Sequence, residues 1–193
     1  GVYYFAVAAI CILLGILMTR RKPADHVFYL KEGCVTTALS WIFLSFFGAL
    51  PFFLSGEIPS FTNALFETVS GFTTTGASIL SDVEALSHCA IFWRSFTHWI
   101  GGMGVLVFIL AIIPESKEGS SLHILRAESP GPQVGRLVSK MAASSRILYI
   151  IYMVLTLVEF LLLWLGPDTE MNVFHSLIYS LGTAGTGGFS AHA

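Results

Sequence analysis

The 193-residue chain is 54% hydrophobic and only 11% charged, with a mean hydropathy of +0.75. These values exclude an ordinary soluble domain and point to an integral membrane protein. The formal net charge of −2 carries little information, because orientation in a membrane depends on where Lys and Arg fall rather than on their sum.

Residues 1–18 are continuously apolar and run into Thr19-Arg20-Arg21-Lys22. A signal peptide has its charges in front of the apolar run and a small-residue cleavage site behind it. The order here predicts a transmembrane helix with a cytoplasmic C-terminal end. The run opens without an initiating methionine, so the chain is expected to be a fragment. Residues 33–54 predict a second span of about 33 Å, bent or ended near the outer face by Pro51. Residues 55–88 contain no Lys or Arg and carry Glu57, Glu67, Asp82 and Glu84, which reads as external.

Within that external segment lies residues 61–78, FTNALFETVSGFTTTGAS. Phe61, Leu65, Phe66 and Val69 fall at helical spacing, but only about 15–18 Å of helix is available, half a bilayer. Residues 72–78 are then expected as extended backbone at mid-membrane depth. Irregular backbone is tolerated there only where protein buries it or where it lines a water-filled cavity. Carbonyl oxygens lining a cavity are how a cation filter replaces an ion's hydration shell.

Residues 89–113 predict a third span running inward, with Trp93, Arg94, His98 and Trp99 in its outer half. Gly101, Gly102 and Gly104 near its middle allow close helix approach or a local break. Residues 114–146 are polar and hold Lys117, Arg126, Arg136, Lys140 and Arg146. Nine of the ten basic residues thus fall in two loops that the topology independently puts on one side.

Residues 147–165 predict a fourth span, followed by the turn Gly166-Pro167-Asp168. Asp168 or Thr169 is expected to cap a second short helix, with Glu170 in its first turn. That helix opens residues 174–190, FHSLIYSLGTAGTGGFS, a second copy of the first short-helix-and-loop stretch. A shift of 112 places Leu65, Phe66 and Val69 on Leu177, Ile178 and Leu181, Thr74 on Thr186, Gly76 on Gly188 and Ser78 on Ser190. A shift of 111 would pair Gly76 with Gly187 instead; 112 aligns both the helix face and the closing serine.

The expected fold is all-α and integral to the membrane, built from repeated units of helix, re-entrant pore helix and loop, and helix, in a potassium-channel-like architecture. Residues 1–32 form a preceding transmembrane helix and cytoplasmic loop. Residues 33–113 form the first unit, 114–146 a cytoplasmic connector, and 147–193 a second unit truncated after its loop.

Gly48-Ala49-Leu50-Pro51, LFETVSGFTTTGAS at 65–78, WRSFTHWIGGMG at 93–104, LRAESPGP at 125–132 and GGFSAH at 187–192 together resemble the Trk/Ktr/HKT superfamily of potassium transporters, and within it the bacterial TrkH-like uptake proteins. The resemblance implies four such units around one pore. By transfer it makes Thr73, Thr74, Thr75 and Gly76 the first filter strand, and Gly185, Thr186, Gly187 and Gly188 the second, with K⁺ bound at those residues. It further implies a homodimer, a cytosolic nucleotide-binding regulatory subunit, and a multi-pass position in the bacterial inner membrane. Only two of four units are present, so either further residues follow or two copies complete the ring.

Threonine and glycine suit such a site. Glycine adopts backbone angles that turn a carbonyl toward an axis without a Cβ to crowd it, and threonine adds a hydroxyl acceptor. Short helices ending at the loops aim partial negative charge at a cation. A filter built on single glycines is less constrained than TVGYG loops, so discrimination against Na⁺ is expected to be modest.

Glu67 is read as a pore support that accepts hydrogen bonds behind the filter or adds to a negative vestibule. Arg94 is read as bracing the pore mouth against an acidic partner or snorkelling to the interface. Glu159, inside the fourth span, is a candidate proton or ion relay or a hydrogen-bonded structural residue. His98 and His175 lack metal-ligand spacing and read as packing residues. Cys11, Cys34 and Cys89 lack CxxC spacing and read as small thiols packed in helices. GTAGTGG at 182–188 lacks a following Gly-Lys-Ser/Thr and is not a phosphate loop. LRAESPGP offers a surface for a cytosolic partner.

The function expected is that of a pore-forming subunit for potassium uptake, with membrane lipid as surroundings, no nucleic acid partner, no cofactor and no covalent chemistry. A carrier coupling K⁺ to Na⁺ or H⁺, or a non-conducting sensor or assembly subunit, stands as the alternative.

Overall fold

The computed structural model describes residues 1–20, 30–104, 141–166 and 171–190, and every regular element among them is an α-helix. In chain order these are α1 (Val2–Thr19), α2 (Leu30–Ser55), α3 (Phe61–Phe72), α4 (His88–Met103), α5 (Met141–Trp164) and α6 (Val173–Ala184). Three stretches, Val2–Thr19, Cys34–Ser55 and Ser145–Trp164, are long and apolar enough to cross a membrane. The short helices α3 and α6, of 12 residues each, reach about 18 Å and do not.

Two alternatives that the sequence leaves open are decided by the structure. Pro51 does not end α2, which continues through it to Ser55. A proline removes a single ladder bond, and here its ring is fully buried, so packing holds the helix through the defect. The third span does not run unbroken from 89 to 113. Helix α4 stops at Met103, and Gly104 takes φ +67, a left-handed conformation that ends the helix at the glycine cluster. At 16 residues, α4 reaches about 24 Å, less than the hydrocarbon thickness. Residues 105–113, the connector residues 114–140 with their basic side chains, and Arg21 and Lys22 lie outside the described residues.

Helix α4 is the hub. Helix α3 packs between α2 and α4, and α6 packs between α4 and α5, while α1 lies on α2. Small and fully buried residues, Ala49 on α2, Ala64 on α3 and Ala90 on α4, let these helices approach, with Phe52 and Ile178 filling the space between. Polar bonds fix their rotation. Trp93 Nε1 donates to the Gly48 carbonyl (3.0 Å), tying α4 to α2. On the other side Trp99 Nε1 donates to Thr156 Oγ1 (3.1 Å) and Tyr152 Oη to the Trp99 carbonyl (2.9 Å), tying α4 to α5.

At the predicted external end Ser87 caps α4 and also donates from its amide and hydroxyl to the Glu57 carboxylate (3.0 and 2.8 Å), joining the α2–α3 turn to the start of α4. Helix α6 is capped by Asn172, whose Oδ1 accepts the His175 amide (2.8 Å). Asp168, Thr169 and Glu170, expected at the start of this helix, lie outside the described residues. Cys34 and Cys89 are exposed rather than packed, and Cys11 is half-buried. The outward faces of α1 and α5 carry Phe5, Leu13, Leu155 and Leu162 open to the surroundings, as a lipid-facing surface requires.

Candidate functional site

Loop 1 (residues 73–78) follows α3 and loop 2 (residues 185–190) follows α6. The sequence predicts extended backbone from residue 72; instead α3 runs through Phe72 and the chain turns at Thr73 and Thr74 before becoming irregular. The turn reuses orphan carbonyls at the helix end: the Thr73 amide donates to Val69, Thr74 to Gly71 and Thr75 to Ser70, at 2.9, 3.0 and 2.9 Å. Loop 2 repeats each bond 112 residues later, Gly185 to Leu181, Thr186 to Thr183 and Gly187 to Gly182, at 3.1, 2.8 and 3.2 Å.

The dihedral angles repeat too. Thr74 and Thr186 take φ +53 and +57, and Gly76 and Gly188 take φ +75 and +77. A threonine in the left-handed region is strained by roughly 1–2 kcal/mol, and the same strain at the same place in both copies marks a built feature rather than an accident. The matching angles also fix the register: Gly76 corresponds to Gly188, and a shift of 111 is excluded.

The two loops meet. A Cβ on Gly76 would overlap the Gly187 carbonyl oxygen, so only glycine fits at that contact. At Gly188, by contrast, no described atom lies within 4 Å of the corresponding position. Thr73, Thr75, Thr186 and Gly188 are exposed, Thr74, Gly76 and Gly187 half-buried, and Gly185 buried against the main chain of His98. Thr73 Oγ1 donates to the Val69 carbonyl and pairs with Thr75 Oγ1, both at 2.8 Å, leaving lone pairs but no free proton on Thr73. Helices α3 and α6 both point their C-terminal ends, and so their partial negative charge, at these loops.

Behind loop 1 the Glu67 carboxylate is fully buried and fully engaged. It accepts Ser78 Oγ (3.0 and 3.2 Å), the Ile79 amide (3.1 Å) and Arg94 Nε (2.5 Å). The Arg94 guanidinium, itself buried, also donates through Nη1 to the Ser190 carbonyl of loop 2 (2.8 Å). One side chain of α4 therefore holds both loops. The pair also cancels its own charge, so the guanidinium presents no net repulsion to a cation.

In the second copy Tyr179 stands where Glu67 stands in the first, and its hydroxyl meets Ser190 Oγ (3.2 Å), as Glu67 meets Ser78. Tyr179 and Phe189 are the two residues at this site that sequence reading passed over. The repeat alignment alone puts Tyr179 on Glu67 and Phe189 on Ala77.

The remaining candidates lie elsewhere. Glu159 is half-buried on α5, and among the described residues no polar contact joins it to either loop. His175 sits in the first turn of α6, and His98 lies fully buried on α4, stacked on Phe189. Among the described residues no group of His, Cys, Asp and Glu is arranged to hold a metal. LRAESPGP lies outside them.

A family model described as TrkH, cation transport protein, matches residues 3–193. The chain belongs to the TrkH family. Among curated TrkH-family relatives, the Trk system potassium uptake protein TrkH of Escherichia coli strain K12 is 38% identical over 165 residues, 84% of this chain and 33% of its own length. TrkH of Halomonas elongata is 34% identical over 197 residues, covering 100% of this chain and 40% of its own. The crystal structure of the potassium transporter TrkH from Vibrio parahaemolyticus matches with a TM-score of 0.77 and 29% identity, over 100% of this chain and 37% of that one. The chain thus spans between a third and two fifths of these TrkH proteins. It is a membrane chain of a cation transporter family, all-helical among the described residues, with three helices there long and apolar enough to cross a membrane.

Proposed function

We propose that this chain supplies two of the filter loops of a potassium-conducting pore, with Thr73, Thr74, Thr75 and Gly76 in one loop and Gly185, Thr186, Gly187 and Gly188 in the other, and with Glu67 and Arg94 as their support. The observation that carries the reading is the repetition of the same left-handed Thr/Gly geometry in two loops that pack head to tail, Gly76 on Gly187. A head-to-tail contact made once leaves an unmatched face at each end. Gly188 is such a face, and further loops of the same kind fit there, whether from additional residues or from a second copy. The ion is bound by oxygen without covalent chemistry or a cofactor. On this reading the transporter sits in the bacterial inner membrane as a homodimer gated by a cytosolic nucleotide-binding subunit; the relatives' names, Trk system potassium uptake protein, support the ion and a system of several components.

The test is K⁺ against Na⁺ flux into liposomes that hold the purified protein, beside the same protein with Gly76→Ser. The serine places a Cβ on the Gly187 carbonyl at a left-handed φ, so K⁺ flux that loses its preference in the variant is expected. A wild-type protein equally permeable to Cl⁻ would sink the reading.

A further inference from the structure

Loops 1 and 2 share their backbone but not their anchoring. At the position after the left-handed glycine, loop 1 has Ala77, which is exposed, and loop 2 has Phe189, which is 3% exposed. The Phe189 ring is held by two side chains of α4 one helical turn apart. The Arg94 guanidinium carbon lies 3.7 Å from the ring centroid, and the His98 ring stacks on it at 3.9 Å between centroids and 24° between planes. The main chain on either side is held by the same two residues. Arg94 Nη1 binds the Ser190 carbonyl (2.8 Å), and Gly187 lies so close to the His98 imidazole that a Cβ there would land on the ring.

Resting on the potassium reading above, we infer that Phe189, clamped by Arg94 and His98, is a positioning residue that sets the geometry of loop 2 and with it the cation preference of the site. The clamp grips Gly187, Phe189 and Ser190 and leaves Gly188 standing exposed between them. Oxygen placement in a filter decides how well a dehydrated ion is coordinated, so an anchor one residue from the left-handed glycine acts directly on selectivity. Loop 1 has no such anchor and relies on the Glu67 carboxylate. Arg94 belongs to both systems, and the two loops are therefore set relative to each other through one guanidinium.

A plain packing aromatic would affect stability without changing which ion passes. The experiment compares K⁺/Na⁺ flux ratios for the complete protein carrying this segment with those of Phe189→Leu, which keeps apolar volume but removes the stacking face, His98→Leu, and the double variant. Each single variant is expected to lower the ratio by about threefold or more, with a smaller change in total flux per folded protein. The double variant should be no worse than either single one, because the clamp acts as a unit. A wild-type ratio in Phe189→Leu, or additive losses in the double variant, would overturn the inference while leaving the pore reading intact. Should the wild type show no potassium preference, the pore reading fails, and amide exchange then decides the clamp. Faster exchange at Gly187 and Gly188 in Phe189→Leu than in wild type supports it; unchanged exchange in loop 2 refutes it.

Discussion

The first loop is anchored by an ion pair and the second by an aromatic ring, though they repeat the same three turn hydrogen bonds and the same left-handed φ angles under a shift of 112 residues. Glu67 takes the Ser78 hydroxyl, the Ile79 amide and Arg94; Tyr179, at the same place, offers one hydroxyl to Ser190. The backbone turn is thus separable from what holds it. Main-chain hydrogen bonds and glycine dihedrals define the loop, and each copy has its own side-chain solution for fixing it to α4.

Gly76 and Gly188 give the largest expected effect and the sharpest test of equivalence. Gly76→Ser meets the Gly187 carbonyl, whereas Gly188→Ser meets no described atom. If a further loop packs on Gly188 as loop 2 packs on Gly76, both variants abolish potassium preference in flux assays. A Gly188→Ser protein that only incurs the roughly 1–3 kcal/mol of added backbone strain, read as a lowered melting temperature with selectivity kept, breaks the head-to-tail arrangement.

Glu67 and Tyr179 come next. Glu67→Gln leaves the buried Arg94 without a counter-charge, and breaking such a pair costs about 3–5 kcal/mol. Tyr179→Phe removes one neutral hydrogen bond, about 1 kcal/mol. Thermal unfolding in detergent checks the ordering, and equal losses would mean that the two anchors are energetically alike after all.

The smallest difference lies at the helix starts. Asn172 caps α6 through its side chain, while Ser60, its counterpart before α3, makes no side-chain cap bond. Asn172→Ala should therefore destabilise by about 1 kcal/mol and Ser60→Ala by a few tenths, again read from melting temperature.

Much of this was legible in the residues. Apolar run lengths determined the spans at α1, α2 and α5, because crossing a hydrocarbon layer requires a minimum count of apolar residues whatever they touch. Helical spacing of Phe61, Leu65, Phe66 and Val69 located α3, and its echo at Leu177, Ile178 and Leu181 located α6 and the repeat. The residues also marked glycine positions 76 and 188 as special, since a loop that turns a carbonyl at mid-membrane depth has few other options.

Only the tertiary structure decided the rest. Where α4 ends, at Gly104, depends on which of several nearby glycines takes the left-handed turn, and spacing does not rank them. Pro51 is carried inside α2 because buried packing outweighs one missing bond. That Arg94 reaches Glu67 on one side and Ser190 on the other, across 27 and 96 residues of sequence, follows from α4 lying between both short helices. Long-range geometry of this kind arises from how helices pack, and no local pattern of residues encodes it.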